Sequence, residues 1–366
     1  MSWNWKKASV LGTLSLASVL PLTACVSGGG KGVKETDGKT IVVSVDEGYV
    51  DYIKSIKGEF EKEHKVTVKV KKEGMMDTLD KLSTDGPTGA SPDVFLAPFD
   101  RVGGLGTEGQ ISEVTLGNSK EFDDTVKKLV TIDGKTYGAP DVIETLVTYY
   151  NKDLVPQAPK SFTELEVLQK DSKFAFASEP GKSVGFLAKW TDFYYGYGLI
   201  AGYGGYIFGD KGTKPSDLGL GNDGTVEGLN YAKQWYGTWP QGMQDTKKAG
   251  DFITEQFISK KAGVIIDGPW AASSFKDAGV NFGVMEIPTL TTARNYASKE
   301  GNELTKAVIS QFESAQPMPN IPEMAEVWEP GANMFFNVAS GKEEASKAAK
   351  EAAKTIKEAI EQKYAE

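Results

Sequence analysis

A carboxylate beside an arginine, and a second carboxylate farther along the chain, are the residues whose types first suggest chemistry. Asp100 and Arg101 are adjacent, and Glu144 lies inside the apolar, β-branched run Tyr137–Asn151. Two carboxylates can act as acid and base in glycoside hydrolysis. Carboxylates and guanidinium groups can equally hold the hydroxyl groups of a ligand without breaking a bond. The residue types alone therefore allow either a hydrolase or a binding protein.

The arginine argues against hydrolysis, because a glycosidase needs one carboxylic acid whose pKa is raised enough to donate a proton. A guanidinium beside Asp100 is expected to hold that carboxylate ionised, and the sequence suggests no neighbour that would raise a pKa. His64 is the only histidine and Cys25 the only cysteine, which leaves no nucleophilic triad and no ligand set for zinc, iron or copper. No phosphate-binding glycine loop precedes a predicted helix. The sequence thus predicts no enzyme and no cofactor.

The position of Glu144 has two interpretations. Tyr137–Asn151 is predicted to be a buried strand, and a charge in a buried strand is costly unless it is paired or faces water. The strand could pass between two lobes and place Glu144 on the floor of a ligand-binding cleft. Alternatively, Glu144 could lie at an exposed end of the strand.

The first part of the chain alternates between strand-like and helix-like segments, which predicts a mainly parallel sheet with helices on its faces. Such sheets bind ligands at the carboxyl ends of their strands, which here are followed by Asp46-Glu47 and by Asp100-Arg101. The predicted segments are strands at Thr40–Val45, Val66–Val70 and Asp93–Ala97, and helices at Tyr49–Glu63 and Met75–Leu82.

Beyond Asn151 the alternation restarts, so a second α/β unit is expected. Ser161 is predicted to cap a helix, with Glu164 completing a capping box. The terminal helix, which Ser340 is expected to open, is rich in Ala, Lys and Glu and is expected to lie at the solvated surface. The other predicted segments are strands at Lys173–Ala177, Ala262–Ile266 and Asn281–Glu286, and helices at Gly185–Gly202, Thr225–Tyr236, Asp251–Lys260 and from Asp267 onward.

The N-terminus has the layout of a secretory signal, with Lys6 and Lys7 followed by an almost uncharged stretch. That stretch contains Leu22-Thr23-Ala24-Cys25, which resembles the lipobox of bacterial lipoproteins. We therefore expect residues 1–24 to be a signal peptide, Cys25 to carry a lipid anchor, and residues 25–39 to form a flexible tether. An ordinary signal peptide that contains a cysteine by chance is the alternative.

Composition narrows the class of protein further. Removal of residues 1–24 would leave 342 residues and, with the loss of Lys6 and Lys7, would move the formal net charge from −9 to −11. This length suits about two domains, and the acidic balance argues against nucleic acid as a partner. A single cysteine allows no internal disulfide, so each domain must be held together by its core. Charges interrupt the later apolar segments, so no second membrane span is predicted.

Short motifs follow one another along the chain in a characteristic order. They are Asp46-Glu47-Gly48-Tyr49, Ala97-Pro98-Phe99-Asp100-Arg101, Tyr137-Gly138-Ala139-Pro140, Tyr149-Tyr150-Asn151, Ala201-Gly202-Tyr203-Gly204-Gly205-Tyr206, Asp267-Gly268-Pro269-Trp270, and Met318-Pro319-Asn320-Ile321-Pro322 followed by Trp328. Each is weak alone, and the ordered set is specific. The chain resembles the maltose- and maltodextrin-binding lipoproteins that serve Gram-positive ABC importers as solute-binding components.

This resemblance implies an α/β, two-lobe periplasmic-binding-protein-like fold of type II. Each lobe would contain a mainly parallel sheet flanked by helices, and the ligand would bind in the cleft between the lobes. We place the first lobe at residues 40–145 and the second lobe at residues 146–366.

The resemblance also implies a set of ligand-binding residues, with polar contacts mainly from one lobe and aromatic contacts from the other. The alternatives are a surface ion pair for Asp100 and Arg101, and core positions for Trp270 and Trp328. The polar residues are Asp46, Glu47, Asp100, Arg101, Glu144 and Asp192, and the stacking residues are Tyr194, Trp270 and Trp328. Ala97-Pro98-Phe99 stands where enteric members have a tryptophan platform, so the fine ligand preference is left open.

One departure from the family pattern follows Leu290. The family usually returns there to the first lobe through a strand and helices, whereas this chain continues at once with Thr291-Thr292-Ala293-Arg294-Asn295-Tyr296. The first lobe would then lack a strand and covering helices, and only the Glu144 region would join the lobes. We expect a less stable first lobe and less controlled closure.

Three functional hypotheses remain, from different classes. The favoured one is a monomeric, lipid-anchored receptor at the extracellular face of the membrane, which binds maltodextrins and delivers them to the permease of an ABC transporter. A secreted glycoside hydrolase is the second, and a lipid-anchored interaction protein without a small ligand is the third. Within the first, another oligosaccharide or a binding-impaired truncated member is the alternative.

Overall fold

A computed structural model describes residues 39–117, 122, 124–288, 290, 303–312, 315 and 317–364. The predictions for the signal peptide, for Cys25 and for the segment that directly follows Leu290 lie outside these residues. Within the described part of the chain, no helix combines the length and the apolar character that a membrane crossing requires.

The first lobe, which we define as the described residues of 39–145, is built on a three-stranded sheet. All its strand pairs are parallel and its order is β2–β1–β3, so the predicted parallel sheet is confirmed here. Its strands are β1 (Thr40–Val45), β2 (Thr67–Lys72) and β3 (Val94–Phe95), its helices are α1 (Glu47–His64), α2 (Met75–Asp85), α3 (Phe99–Thr107) and α4 (Asp124–Leu129), and a hairpin of β4 (Thr131–Ile132) and β5 (Lys135–Thr136) follows.

A polar network fixes α2 against this sheet. The Ser44 hydroxyl of β1 lies 3.1 Å from the Thr78 hydroxyl of α2, which donates to Glu73. The two oxygens of Glu73 each lie 2.7 Å from a lysine Nζ, one from Lys71 and one from Lys81. These lysines lower the pKa of Glu73 to about 2, so its carboxylate stays charged well below neutral pH.

The second lobe, residues 146–364 as described, contains a four-stranded sheet of order β10–β6–β9–β7. Its strands are β6 (Val147–Asn151), β7 (Phe186–Leu187), β9 (Val264–Asp267) and β10 (Phe282–Met285), and β8 (Lys214–Leu218) lies outside this sheet. β6 is antiparallel to β9 and β10, and only β7 and β9 pair in parallel. Three of the four strands run in the same direction, as expected for a mainly parallel sheet, and β6 is the exception. β9 and β10 run in the same direction, but β6 arrives from the first lobe and inserts between them in the opposite direction.

Helices pack against this second sheet and against one another. They are α5 (Phe162–Lys170), α6 (Phe193–Gly202), α7 (Gly209–Gly212, a single turn), α8 (Asp223–Thr238), α9 (Ala249–Ile258), α10 (Ala272–Asp277), α11 (Glu303–Phe312), α12 (Trp328–Ala339) and α13 (Ala345–Tyr364). The Ser161 hydroxyl accepts a hydrogen bond from the Glu164 amide, which confirms Ser161 as the cap of α5.

Three predicted elements differ in the structure. The strand expected at Lys173–Ala177 is a 3-10 turn at Ser172–Phe174. The aromatic segment Gly185–Gly202 divides into β7 and α6, since Asp192 caps a new helix there. Ser340 ends α12 instead of opening α13. α13 lies at the surface as expected, with more than half of its residues exposed, but one of its faces is buried. Its alanine stripe packs closely on its neighbours and buries Ala345, Ala348, Ala349, Ala352 and Ile356.

The run Tyr137–Asn151 is a strand only at its end. β6 begins at Val147, where backbone pairing with Asp267 of β9 starts, and no regular element covers Gly138–Leu146. Glu144 precedes the strand and is exposed. The prediction of a buried strand through Glu144 is wrong, because this part of the run has no partner strand to pair with.

The core is distributed unequally between the lobes. The contiguous apolar core lies entirely between Leu146 and Ile356, and it is centred on packed rings such as Trp190, Trp235 and Trp239. The first lobe has only a few fully buried apolar side chains among its described residues, namely Val45, Val68, Leu82, Val102 and Val130. Burial of apolar area is the main stabilising term, so the first lobe is the weaker half.

Part of the first lobe is uncovered. α1 buries none of its residues, and Tyr52, Ile56 and Phe60, spaced four apart on one helix face, are 53%, 46% and 42% exposed. Val94 on the outer strand β3 is 52% exposed. Exposed apolar side chains beside an unpaired strand edge are unusual in a complete α/β layer. They support the prediction that covering elements are missing.

We predict that the two lobes unfold separately in urea. Among the described residues every tryptophan belongs to the second lobe, so fluorescence reports that lobe, whereas far-UV circular dichroism also reports α1 to α3. We expect part of the dichroism signal to be lost at lower urea than the fluorescence signal. As a matched pair, Leu82→Ala should destabilise the first transition, and Leu165→Ala the second, each by about 2–5 kcal/mol. Coincident transitions for both signals would contradict unequal lobes.

Candidate functional site

The lobes meet at the start of α3. Asp100, the second residue of that helix, is only 4% exposed, and its Oδ2 accepts a hydrogen bond of 3.1 Å from the Trp328 indole of α12. The Arg101 guanidinium carbon lies 5.7 Å from the Trp328 ring centroid, and Arg101 Nε lies 3.6 Å from Asp100 Oδ2. The structure thus brings three predicted residues together, two from the first lobe and one from the second.

Glycine allows this close approach. A Cβ at Gly103 of α3 would lie 2.7 Å from the carbonyl oxygen of Asn320, on the segment that leads into the 3-10 turn Pro322–Glu326. The Asn320 amide in turn donates to the carbonyl of Lys128 in α4. The first lobe therefore packs directly on the segment that carries Trp328.

The pKa of Asp100 is shifted in the direction opposite to the one that the sequence predicts. Burial raises the pKa of its carboxyl group, and Arg101 and Trp328 only partly oppose this effect. Its Oδ1 is buried and has no hydrogen-bond partner among the described residues. The net shift of the Asp100 pKa is therefore opposite in direction to the one expected from Arg101 alone, because the cost of desolvating the carboxylate exceeds the attraction of the guanidinium.

A second group of first-lobe residues surrounds Glu144. The Tyr49 hydroxyl lies 3.4 Å from Glu144 Oε1. Desolvation raises the pKa of Glu144, and the charge of Asp46 raises it further. Asp46 also holds the start of α2, because its Oδ1 accepts from the Met75 amide at 3.1 Å. Glu47 is not brought into this group: it is exposed and its carboxylate lies 2.8 Å from Lys72 Nζ.

Two rings of the second lobe form a platform. The centroids of Tyr194, on α6, and Trp270 are 6.5 Å apart, with 38° between their planes. Trp270 lies in the 3-10 turn Pro269–Ala271, which precedes α10, and it is 44% exposed. A core position for Trp270 is thereby excluded. Trp328 is half-buried and meets the ring of Phe193 edge-on.

Asp192 holds the backbone at the start of α6, where Tyr194 lies. Its Oδ1 accepts from the Tyr194 amide at 3.1 Å, which makes it the cap of α6. Its Oδ2 lies 3.2 Å from Lys189 Nζ. Both oxygens of the Asp192 carboxylate therefore already have partners within the second lobe.

The carboxylates of the first lobe and the ring of Tyr194 in the second lobe interact electrostatically. Burial raises the pKa of Tyr194 to about 12, and the charges of Glu144 and Asp100 from the first lobe and of Asp192 and Asp267 from the second add to this rise. Tyr194 of the second lobe is therefore within electrostatic reach of the Glu144 and Asp100 carboxylates of the first lobe. Together with the contact of Asp100 with Trp328, this brings Asp100, Glu144, Tyr194 and Trp328 near the boundary between the lobes.

Sequence reasoning missed three residues here. Asp267 accepts hydrogen bonds from the Tyr195 hydroxyl and the Gly268 amide, although the sequence indicated only a helix start there. Tyr195 received no ligand-binding role. Tyr49 lay in a motif but received no role. The signal available for Asp267 was a carboxylate directly before Gly-Pro-Trp at the end of a predicted strand.

The lobes are also linked at the end of α13. Lys363 Nζ lies 3.5 Å from Glu108 Oε1, at the end of α3, and 3.2 Å from Glu326 Oε1. This ion pair joins the terminal helix of the second lobe to the first lobe at the surface.

Two lobes with a polar wall and an aromatic wall define a two-lobe binding protein with a type II solute-binding fold. The family of bacterial extracellular solute-binding proteins matches residues 56–351. The chain therefore belongs to this family, and it is a solute-binding protein rather than an enzyme.

Individual relatives resemble most of the chain. A maltooligosaccharide ABC transporter solute-binding lipoprotein of Streptococcus pneumoniae is 47% identical over 99% of this chain and 99% of the relative. The maltodextrin-binding protein MdxE of Bacillus subtilis is 46% identical over 94% and 95%. The crystal structure of MalX from Streptococcus pneumoniae in complex with maltopentaose superimposes with a TM-score of 0.83 at 47% identity, covering 87% of this chain and 100% of that one.

The alignment with the first of these relatives supports a missing segment. It extends over 423 positions, whereas this chain has 366 residues, so at least 57 of 423 positions have no counterpart among these 366 residues. A difference of this size suits the absence of a strand and helices. Its location after Leu290 stays a prediction.

We predict that Asp100→Asn stabilises the protein at neutral pH. Because the folded-state pKa of Asp100 is raised, the folded chain holds a proton that the unfolded chain has lost, and stability falls as pH rises from the ordinary value of 3.8 through the raised one. At pH 7 the variant should therefore be more stable by about 1 kcal/mol in urea unfolding.

Below the ordinary pKa of 3.8 the stabilisation should vanish, since Asp100 is then protonated in both states. Asp51→Asn is the matched control, because the Asp51 side chain is 97% exposed and should show no such pH dependence. A destabilised Asp100→Asn variant at pH 7 would mean that Arg101 and Trp328 outweigh burial.

Proposed function

We propose that the protein is the receptor of an ABC importer and that it binds malto-oligosaccharides between its lobes without cleaving them. The observation that carries this proposal is the pairing of two rings, Tyr194 and Trp270, on one lobe with the buried carboxylate Asp100 on the other. Sugars present C–H faces that stack on aromatic rings and hydroxyl groups that donate to carboxylates.

The free oxygen of Asp100 is suited to a hydroxyl donor. Its Oδ1 is buried without a partner among the described residues, and a hydrogen bond there would remove a desolvation cost that the protein otherwise carries. Arg101 and Glu144 would supply further polar contacts, and Trp328 would close the site from the second lobe. The full proposed set is Asp46, Glu47, Asp100, Arg101, Glu144, Asp192, Tyr194, Trp270 and Trp328. We expect smaller contributions from Glu47 and Asp192, whose carboxylates are paired with lysines.

The relatives support the ligand class and the partner. The names of two relatives refer to maltooligosaccharide and maltodextrin binding, and one of them to an ABC transporter, and a similar structure contains maltopentaose. For this chain we extend the proposal to delivery of the sugar to the membrane subunits of the importer by a monomer. Residues 40–145 and 146–366 are the proposed limits of the two closing lobes.

We predict that the mature chain releases or absorbs heat on titration with maltotriose and that Trp270→Ala weakens binding by about a hundredfold, equivalent to about 2.7 kcal/mol. The reason is that the variant loses an exposed ring of the platform while the buried core stays intact. Isothermal titration calorimetry measures both affinities. Tyr52→Ala is the control, since Tyr52 is a similarly exposed aromatic residue of α1 outside the site.

Each other result has a defined meaning. If the chain binds a different oligosaccharide and not maltotriose, the proposed ligand is wrong and the protein is a receptor for that other sugar. No heat with any oligosaccharide at millimolar concentration would favour a binding-impaired member. Shortened sugar after prolonged incubation, detected by chromatography, would revive hydrolysis by Asp100 and Glu144.

We also propose that the mature chain is anchored through a lipid on Cys25 at the extracellular face of the membrane. The motif Leu22-Thr23-Ala24-Cys25 and the lipoprotein relatives support this. Cells expressing the wild-type chain should incorporate labelled palmitate into it, and Cys25→Ser should abolish the label and release the protein into the medium. A labelled Cys25→Ser variant would refute the anchor site.

A further inference from the structure

A buried carboxylate lies behind the exposed tryptophan of the platform. Asp267 is the last residue of β9, and its Oδ1 accepts from the Tyr195 hydroxyl at 3.0 Å and from the Gly268 amide at 2.7 Å. Burial raises the pKa of Asp267, and hydrogen bonds from Gly268, Tyr195 and the Trp270 side chain oppose this rise. One carboxylate therefore serves donors from α6, from its own strand end and from the platform ring.

The backbone beside Asp267 is held on its other side as well. The buried Tyr149 hydroxyl of β6 donates to the Gly268 carbonyl at 2.9 Å. A Cβ at Gly268 would lie 2.1 Å from an atom of the Trp270 ring. The indole therefore lies directly on the Gly268 backbone, and the peptide on which it lies is fixed from both β6 and α6.

An exposed side chain of this size needs such support. Trp270 is 44% exposed, and an aromatic ring at the surface otherwise exchanges between rotamers. A platform that is already oriented loses less conformational entropy when a ligand stacks on it. The groups around Asp267 are thus arranged to keep the Trp270 ring in one orientation beside Tyr194.

We propose that Asp267 is a positioning residue for the ligand platform: it orients the Trp270 indole and ties it to Tyr195 of α6. This inference rests on the proposed function in treating Trp270 as a sugar-stacking residue. A carboxylate suits this position because Tyr195, Gly268 and Trp270 all donate to it, and an amide would offer an N–H group in place of one of the two acceptor oxygens.

A double-mutant cycle tests this role. Asp267→Asn should weaken maltotriose binding by about tenfold in the wild-type background and by less than about twofold in the Trp270→Ala background, because a residue that acts through Trp270 has no effect once the ring is gone. Tyr195→Phe should give a smaller loss with the same dependence. Tyr197→Phe, on the same helix, is the matched control and should leave the affinity unchanged. Equal losses in both backgrounds, or no loss in either, would overturn the inference.

A second measurement works without sugar. The emission of Trp270 is the difference between the wild-type and Trp270→Ala spectra, and acrylamide quenching of this component reports how freely the ring moves and meets solvent. Asp267→Asn and Tyr195→Phe should increase that quenching, and Tyr197→Phe should not. Unchanged quenching in both variants would overturn the positioning role. Failure of the wild-type chain to bind maltotriose would instead refute the proposed function, and the quenching result would still decide the role of Asp267. If Asp267→Asn does not fold, Tyr195→Phe supplies both measurements.

Discussion

A charged group cannot leave water cheaply unless other groups replace the water, and the Asp100 carboxylate meets this constraint with groups from both lobes. Arg101 supplies a nearby positive charge, and Trp328 supplies an indole N–H from across the boundary. The replacement is incomplete, because burial still raises the pKa of Asp100. A group that lowers stability in this way is typical of a functional site, where selection retains a polar side chain in spite of its cost. Gly103 of α3 lets the backbone of Asn320 approach closely, which allows the two lobes to pack together beside Asp100.

The two sides of the site offer different kinds of interaction: polar groups on the first lobe and aromatic rings on the second. On the first lobe, carboxylates such as Glu144 are partly desolvated, and Glu144 lies 3.4 Å from the Tyr49 hydroxyl. On the second lobe, rings stand on a rigid sheet whose core contains most of the buried aromatic residues. This division places the weakly packed half of the molecule opposite the strongly packed half. Relative movement of the lobes therefore depends on a few polar contacts rather than on a shared apolar core.

The sequence predicted α1, α2, α8 and β1 well, because their apolar periodicity is local. It did not predict that β6 runs antiparallel to its neighbours, since pairing depends on where a strand is inserted and local pattern carries no such information. Asp100, Trp328, Tyr194 and Trp270 were expected from family motifs, and the structure places them in one region. The sign of the pKa shift at Asp100 could not be predicted, because Arg101 is visible as a neighbour whereas burial by Asn320 and Trp328 comes from far along the chain. Asp267 was missed for the same reason: its partner Tyr195 is 72 residues away.

The ion pair between Lys363 and Glu108 makes the contact between the lobes sensitive to ionic strength. Both side chains are about half exposed, so dissolved ions screen their attraction, whereas the buried contact of Asp100 with Trp328 is shielded from such screening. Concentrated salt therefore loosens the outer edge of the boundary while its inner part holds. Any salt dependence of ligand affinity that arises at this edge is expected to be small, because a half-exposed ion pair contributes at most about 1 kcal/mol.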